Sequence, residues 1–375
     1  MSNKNDFKPY ISADKVVPEL TVTSIIIGLI LAVVFGAANA YLGLRVGMTI
    51  SASIPAAVIS MGIIRVIMRR NSILENNMVQ TIGSAGESLA AGAIFTLPAL
   101  FMWAAESSSV VAPSFWNIAM LGLFGGILGV LFMIPLRNAL IVEEHGVLPF
   151  PEGTACAEVL LAGEEGGAKT KVVFSGLGIA AIYKFIADGI KLFPSEIAWR
   201  IKPLKTGFGL DVLPALAAGG IFSLVRSLPL IIKTFAKAIK GFGKSGDSSS
   251  RTEKDIPMLY VLVGCLIIAL LIWLVPSIPV PFIGALLIVV FGFFFATVSS
   301  RMVGLVGSSN NPVSGMIIAT LLIVTTILKA CGYQGYEGMA IAISIGTIVS
   351  IVTAMAGDTS QDLKTGYIVG ATPVK

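Results

Sequence analysis

Acidic side chains inside apolar stretches are the first residues in this sequence that can do chemistry. Glu87 lies in the apolar segment 82–103, behind Gly83 and Gly86. A carboxylate in a partly dry cavity can exchange a proton near neutral pH, because burial disfavours its charged form. Two interpretations stand side by side. Either the glycine pair unwinds the helix and opens a cavity around Glu87, or Glu87 marks a helix end and complements the dipole of the first turn.

The segment 143–165 combines carboxylates with residues that break helices. Prolines and glycines interrupt any helix up to Gly153, and the apolar helix that follows is too short to span a membrane. This pattern predicts a re-entrant or interfacial element, with Glu152 near the helix start and Glu158 one and a half turns later. The alternative is a cytoplasmic loop capped by Glu152. His145 is expected to titrate near neutral pH, and no partner with metal-site spacing makes it a metal ligand.

A polar turn at 308–315 offers groups that can hold a solute. Asn310 and Asn311 supply amide donors and acceptors, and Pro312 suits the first turn of the next helix, which continues through Gly315. The N–H groups of such a helix start attract a carboxylate, for example that of a peptide or an amino-acid-like ligand. The alternative is a short capped turn at the membrane face.

A second polar run, 357–366, lies between apolar stretches. Asp358 is predicted either to cap a helix or to form a gate or ion pair with Asp362 and Lys364. No Walker loop, GxSxG, HExxH or Ser/His/Asp set occurs, so we predict that the chain is not an enzyme. The three cysteines are far apart, which predicts neither a disulfide framework nor a zinc site, and no cofactor or metal is expected.

Composition places these residues in a membrane. Of 375 residues, 55% are hydrophobic and only 13% charged, whereas soluble domains carry about 25% charged residues. Ten apolar segments are long enough to cross a bilayer as helices. They are 20–41, 48–68, 82–103, 116–136, 172–192, 210–232, 257–275, 280–299, 312–329 and 338–356. The predicted fold is an all-α integral membrane protein, a polytopic helix bundle with a re-entrant or broken segment.

Basic residues in the connections predict the orientation. With the N-terminus in the cytoplasm, most Lys and Arg of the connections lie inside, and only Arg45, Arg200, Lys202 and Lys205 lie outside. The prediction divides the chain into four parts. They are a cytoplasmic N-terminal tail (1–19), a front transmembrane bundle (20–232), a basic loop against lipid head groups (233–256) and a second, incomplete bundle (257–375). The net charge of +5 is no sign of nucleic-acid binding, because these residues sit in short loops.

A faint internal repeat is also present. Gly83, Leu89, Gly92 and Ile94 recur at one offset as Gly357, Leu363, Gly366 and Ile368. Duplicated bundles are common among secondary transporters, which bind their solute near the interface of the repeats.

Four stretches together resemble the oligopeptide transporter (OPT) family, which includes the yellow-stripe-like metal-chelate carriers. They are 39–47 (NAYLGLRVG), 148–155 (LPFPEGTA), 311–315 (NPVSG) and 357–366 (GDTSQDLKTG), in the order of the family. The resemblance implies proton-coupled import of small peptides or of metal complexes of amino-acid-like chelators. Family members are much longer, so this chain resembles an N-terminal portion of a bacterial inner-membrane member.

The sequence therefore predicts a secondary active symporter that works by alternating access. Glu87, Glu152 or Glu158, with Asp358 as a further candidate, takes up the coupling proton. The residues at 310–312 hold the solute, and Tyr41 and Arg45 lie near the outer mouth. Four alternatives remain open: a passive channel, an intramembrane enzyme, a regulatory subunit, and a fragment that needs a second chain or its own copies as a homo-oligomer.

Overall fold

The computed structural model describes residues 7–47, 49–70, 72–106, 112–186, 190 and 250–375. Across these ranges the regular structure is helical, without a named strand, and it confirms the all-α membrane fold. The α-helices in chain order are α1 (Val22–Val46), α2 (Ser53–Met61), α3 (Ile73–Ile94), α4 (Leu97–Glu106), α5 (Phe115–Arg137), α6 (Pro151–Glu165), α7 (Gly167–Lys184), α8 (Met258–Leu274), α9 (Phe282–Val306), α10 (Val313–Ala330) and α11 (Gly335–Val369). Short π-helical turns, Gly62–Ile67 and Asn138–Glu143, extend α2 and α5.

Polar residues set the starts of the long helices. Thr21 caps α1 and Ser72 caps α3, each accepting a hydrogen bond from a backbone N–H of the first turn. Ser114 does the same for α5. Apolar runs then make α1 and α5 long enough to cross a bilayer.

Ten spans are not confirmed. The described residues contain six helices that are long and apolar enough to cross a membrane, or seven if α3 and α4, bent by 42°, form one broken span. The predicted span 48–68 is a shorter apolar helix, and so is the part of 172–192 that the structure describes. The predicted span 210–232 lies outside the described residues.

Helix α11 is the central element of the bundle. Its 35 residues join the predicted span 338–356 and the polar run 357–366 into one helix, which ends at Gly370 with φ of 86°. The run 357–366, polar in sequence, therefore continues the same helix. Its polar side chains are buried against other helices and find partners there, so they need not leave the membrane.

Helix α11 also crosses the predicted division between the bundles. It packs against α3 and α5 as well as against α9 and α10. Most of the basic loop 233–256 lies outside the described residues, and the division into four parts stays a prediction.

The N-terminal segment before α1 is fastened to the end of α11. The N–H groups of Tyr10 and Ile11 donate to the carbonyls of Ile368 and Val369, both at 3.0 Å. Glu19, only 2% exposed, accepts from Thr372 and forms a salt bridge of 3.0 Å with Arg251. The bonds from Tyr10 and Ile11 satisfy carbonyls that a helix end otherwise leaves unpaired.

Glycines let α11 approach its neighbours closely. A Cβ at Gly92 of α3 would lie 2.4 Å from the Cα of Ile351 on α11. Small residues allow such backbone contact between membrane helices. Gly86 packs against the backbone of α1 in the same way, and Gly83 packs against side chains of α1 and α2. Helix α3 runs through both glycines as a continuous helix, so the expected unwinding there was wrong.

Replacing Gly92 by alanine should therefore force α3 and α11 apart. Overpacking of this kind costs about 1–3 kcal/mol, and we expect a lower midpoint of thermal unfolding for the protein purified in detergent. The matched control is Gly122→Ala on α5, where an added Cβ meets nothing within 4 Å. Equal midpoints for the two variants would contradict this helix crossing.

Candidate functional site

Carboxylates from three helices converge in the interior of the bundle. Glu87 of α3 and Asp358 and Asp362 of α11 are 3%, 6% and 5% exposed. Glu87 interacts electrostatically with both aspartates and with Glu152 in the first turn of α6. We call these four residues the acidic cluster. Buried carboxylates are rare in membrane helices and mark functional sites by default.

Two serines of α3 hold the two aspartates of α11. The Ser88 hydroxyl donates to Asp358 Oδ2 at 2.5 Å, and the Ser84 hydroxyl donates to Asp362 Oδ2 at 2.5 Å. Residues four apart lie on one face of a helix, so one turn of α3 matches one turn of α11 running the opposite way. Gln80, one turn before Ser84, also donates to Asp362.

Helix α2 begins at this cluster. The hydroxyl of Ser53, its first residue, donates to Asp362 Oδ1 at 3.0 Å, and the N–H of Ala52 donates to Glu87 Oε2 at 3.4 Å. The helix start thus directs its positive dipole end toward the carboxylates.

Helix α6 begins beside the same stretch of α11. The N–H of Gly153 donates to Gln361 Oε1 at 2.7 Å, and the Thr365 hydroxyl donates to the Gly153 carbonyl at 2.9 Å. A Cβ at position 153 would lie 2.3 Å from the Gln361 carbonyl oxygen, which requires glycine there. Phe150 precedes this start with φ of 45° and is fully buried against Gly304.

The turn between α9 and α10 completes the site. Glu152 Oε1 accepts from the N–H of Ser309 at 3.1 Å, and Asn311 Nδ2 donates to Ser299 Oγ at 2.8 Å. The Ser309 hydroxyl in turn accepts from the N–H of Ser51, before α2. Non-helical backbone inside a membrane bundle is tolerated where it packs against protein or lines a cavity. The starts of α2, α6 and α10 therefore meet around the acidic cluster, as in the broken helices of secondary transporters.

The structure places three of the proposed proton-coupling residues together and separates the fourth. Glu87, Glu152 and Asp358 belong to the cluster, whereas Glu158 is exposed on α6. Glu87 lies well inside α3, which begins at Ile73, and Asp358 lies inside α11. The helix-end interpretation of Glu87 and the capping interpretation of Asp358 were therefore wrong.

Of the predicted solute-binding residues, some also lie at the acidic cluster and others lie away from it. Asn311 lies beside the acidic cluster. Its Nδ2 is 2.8 Å from the Cβ position at Gly357, the residue before Asp358. Asn310 and Pro312 are exposed beside it, and Gly315 has open space around its Cβ position. At the far end of α1, Arg45 donates to the Tyr41 hydroxyl at 2.5 Å, and both side chains are exposed.

Sequence reasoning missed the residues that hold the aspartates. Ser84, Ser88 and Gln80 are ordinary residues for a membrane helix. Their spacing by four residues, matched by that of Asp358 and Asp362, is the one signal that the sequence offers.

Lys364 faces away from the acidic cluster. Its Nζ lies 2.8 Å from Nδ1 of His145 and 5.5 Å from the ring centroid of Phe150. The rings of Tyr367 and Phe7 stack with their centroids 4.7 Å apart and border His145. The sequence suggested an ion pair of Lys364 with the aspartates, but the structure gives the ammonium an imidazole and aromatic faces instead.

Helices of this length and apolarity, packed around broken segments, define a multi-pass membrane protein. The family model described as "OPT oligopeptide transporter protein" matches residues 19–232 and 211–375. The chain belongs to that family.

A curated relative adds detail. A protein of Haemophilus influenzae named "Putative oligopeptide transporter" is 31% identical over 422 aligned residues, which cover 89% of this chain. The chain spans 65% of that relative's length.

The environment of His145 predicts a pH effect on stability. Burial, and then the nearby Lys364 ammonium, lower the pKa of His145 from its ordinary 6.5. The unfolded chain therefore binds this proton at a higher pH than the folded chain. Stability from neutral His145 is present above pH 6.5 and is lost as the pH falls below it.

We expect His145→Gln to reduce the drop in unfolding midpoint between about pH 7.5 and about pH 5.5. His145 is the one histidine of the chain, so no other imidazole titrates in this range. The measurement is thermal unfolding in detergent at both pH values for both proteins. An identical drop in the two would show that His145 is equally protonated in the folded and unfolded states.

Proposed function

We propose that this chain takes part in proton-coupled transport of small oligopeptides across the bacterial inner membrane, with its N-terminus in the cytoplasm. The observation that carries the proposal is the acidic cluster, three of whose four carboxylates are buried where the starts of three helices meet. Membership in the family and the name of the relative point to oligopeptides as the solute class. The inside excess of Lys and Arg supports the orientation.

The cluster suits a proton carrier for a physical reason. Several carboxylates in one buried site cannot all stay ionised without a counter-charge. Among the described residues, no Lys, Arg or His forms a salt bridge with Glu87, Glu152, Asp358 or Asp362. The cluster can therefore take up a proton from one side of the membrane and release it to the other, and the free-energy cost of this change in its charge is low.

The helix starts supply the complementary groups for a peptide. The N–H groups at the start of α10, beside Asn311, favour a carboxylate such as the C-terminus of a peptide. Glu152, which accepts from the Ser309 N–H in the turn before α10, favours the N-terminal ammonium. A peptide that bridges these two places would lie against the acidic cluster, so that its binding and the protonation of the cluster influence each other.

The test is uptake of a labelled tripeptide mixture into proteoliposomes that hold the purified chain, with and without an imposed inward proton gradient. A coupled carrier accumulates solute only with the gradient, and a passive channel merely equilibrates it. We expect Glu87→Gln and Glu152→Gln to abolish accumulation, because a neutral amide cannot exchange the proton. Glu106→Gln, at the exposed end of α4, is the matched control.

Full accumulation in both cluster variants would contradict the proton assignment. No uptake by well-folded wild-type protein would favour the alternative that further helices, from a longer chain or a second one, are needed. Adding the part of the longer relative that this chain does not cover would then separate an incomplete carrier from a wrong solute class.

A further inference from the structure

Buried amide oxygens next to the acidic cluster lack hydrogen-bond partners. In the described part of the chain they include Asn77 Oδ1 and Gln80 Oε1 of α3. Asn77 is 4% exposed and Gln80 is fully buried. An unpaired buried acceptor costs about 1–3 kcal/mol, so each of these oxygens calls for a partner such as an ordered water or an ion.

Both amides face the same stretch of α11. The Gln80 side chain donates through Nε2 to Asp362, which places its head group on that carboxylate. Asn77, three residues earlier, lies on the same face of α3. Its Nδ2 is 3.7 Å from the Cβ position at Gly366, one turn after Asp362 on α11. The free oxygen of Gln80 thus belongs to a head group bonded to Asp362, and the Asn77 head group lies about one turn along the same interface of α3 with α11.

The negative charge of the buried Asp362 carboxylate needs a compensating cation. Asp362 is 5% exposed and has Gln80, Ser84 and Ser53 as neutral donors. Lys364, the nearest cation on α11, is turned to His145. Buried anions without a paired charge are costly. A bound cation compensates the carboxylate and satisfies both amide oxygens together, whereas the single O–H of a protonated Asp362 satisfies at most one of them.

The oxygen ligands indicate which cation fits. Amide, hydroxyl and carboxylate oxygens are hard ligands, so they disfavour soft transition metals. A divalent ion of this class is usually held by several carboxylates. No three His, Cys, Asp or Glu side chains in the described ranges are arranged to hold a metal ion. A single positive charge matches one carboxylate and two amides.

We propose that Asp362, Gln80 and Asn77 form a binding site for an alkali cation, Na⁺. The site lies between α3 and α11, beside the carboxylates proposed for proton coupling, and its occupancy fixes these two helices against each other. Sodium binding can be measured on the protein in detergent, so the inference does not rest on the proposed transport activity.

The experiment measures thermal unfolding of the purified chain in detergent as NaCl replaces choline chloride at constant ionic strength. A ligand that binds the folded state raises the midpoint as its concentration exceeds the dissociation constant. We expect a saturable rise with Na⁺ for the wild-type protein. Asn77→Leu should lose this rise, because leucine is nearly the same size as asparagine but offers no oxygen ligand.

Asn77→Asp is the matched variant, since it keeps the oxygen and adds a charge. It should keep the response to Na⁺ and reach saturation at a lower concentration. Equal midpoints in NaCl and choline chloride for the wild-type protein would overturn the proposal. So would an unchanged sodium response in Asn77→Leu, which would place the ion elsewhere. A chain that binds Na⁺ here and still fails in the uptake assay would contradict only the transport function.

Discussion

The burial of two aspartates of α11 against two serines of α3 is the interaction on which the rest of the structure depends. Asp358 and Asp362 each accept a hydroxyl hydrogen bond from α3, and the one-turn spacing on both helices fixes their register. Charged groups in the bilayer interior are tolerated only where protein contacts replace water. This requirement explains why α11 is buried so completely and why the polar run 357–366 continues as a helix.

The need of buried carboxylates for hydrogen-bond donors also explains why short helices begin beside the acidic cluster. Helix starts carry free N–H groups and a positive dipole end, which lower the cost of nearby carboxylates. Ala52 before α2 and Ser309 before α10 each donate a backbone N–H to a carboxylate of the cluster. Short helices that begin inside the bundle and acids that need donors thus stabilise each other. A continuous span at either position would leave Glu87 or Glu152 without that donor.

Sequence patterns predicted the class of fold because apolar runs of spanning length have few other solutions. They also predicted a short helix after the helix breakers, and α6 begins at Pro151, three residues before the expected start. The site was harder to predict. Ser88 and Asp358 are 270 residues apart, and neither type of residue signals the other. The predicted span 338–356 ended before the polar run because hydropathy treats every face of a helix as exposed to lipid. Asp358 and Asp362 instead face protein.

Separation of charge along α11 follows from helix geometry. Asp362 and Lys364 are two residues apart, which places their side chains on different faces of the helix. The carboxylate meets neutral donors of α3 and α2, and the ammonium meets His145 and aromatic rings at the end where the N-terminal segment docks. With a spacing of four residues, the carboxylate and the ammonium would lie on one face of α11 and form an ion pair. The ammonium would then compensate the charge of Asp362 permanently. The observed spacing leaves the carboxylate of Asp362 without an ammonium on its own face of α11, so its charge is compensated by neutral donors alone.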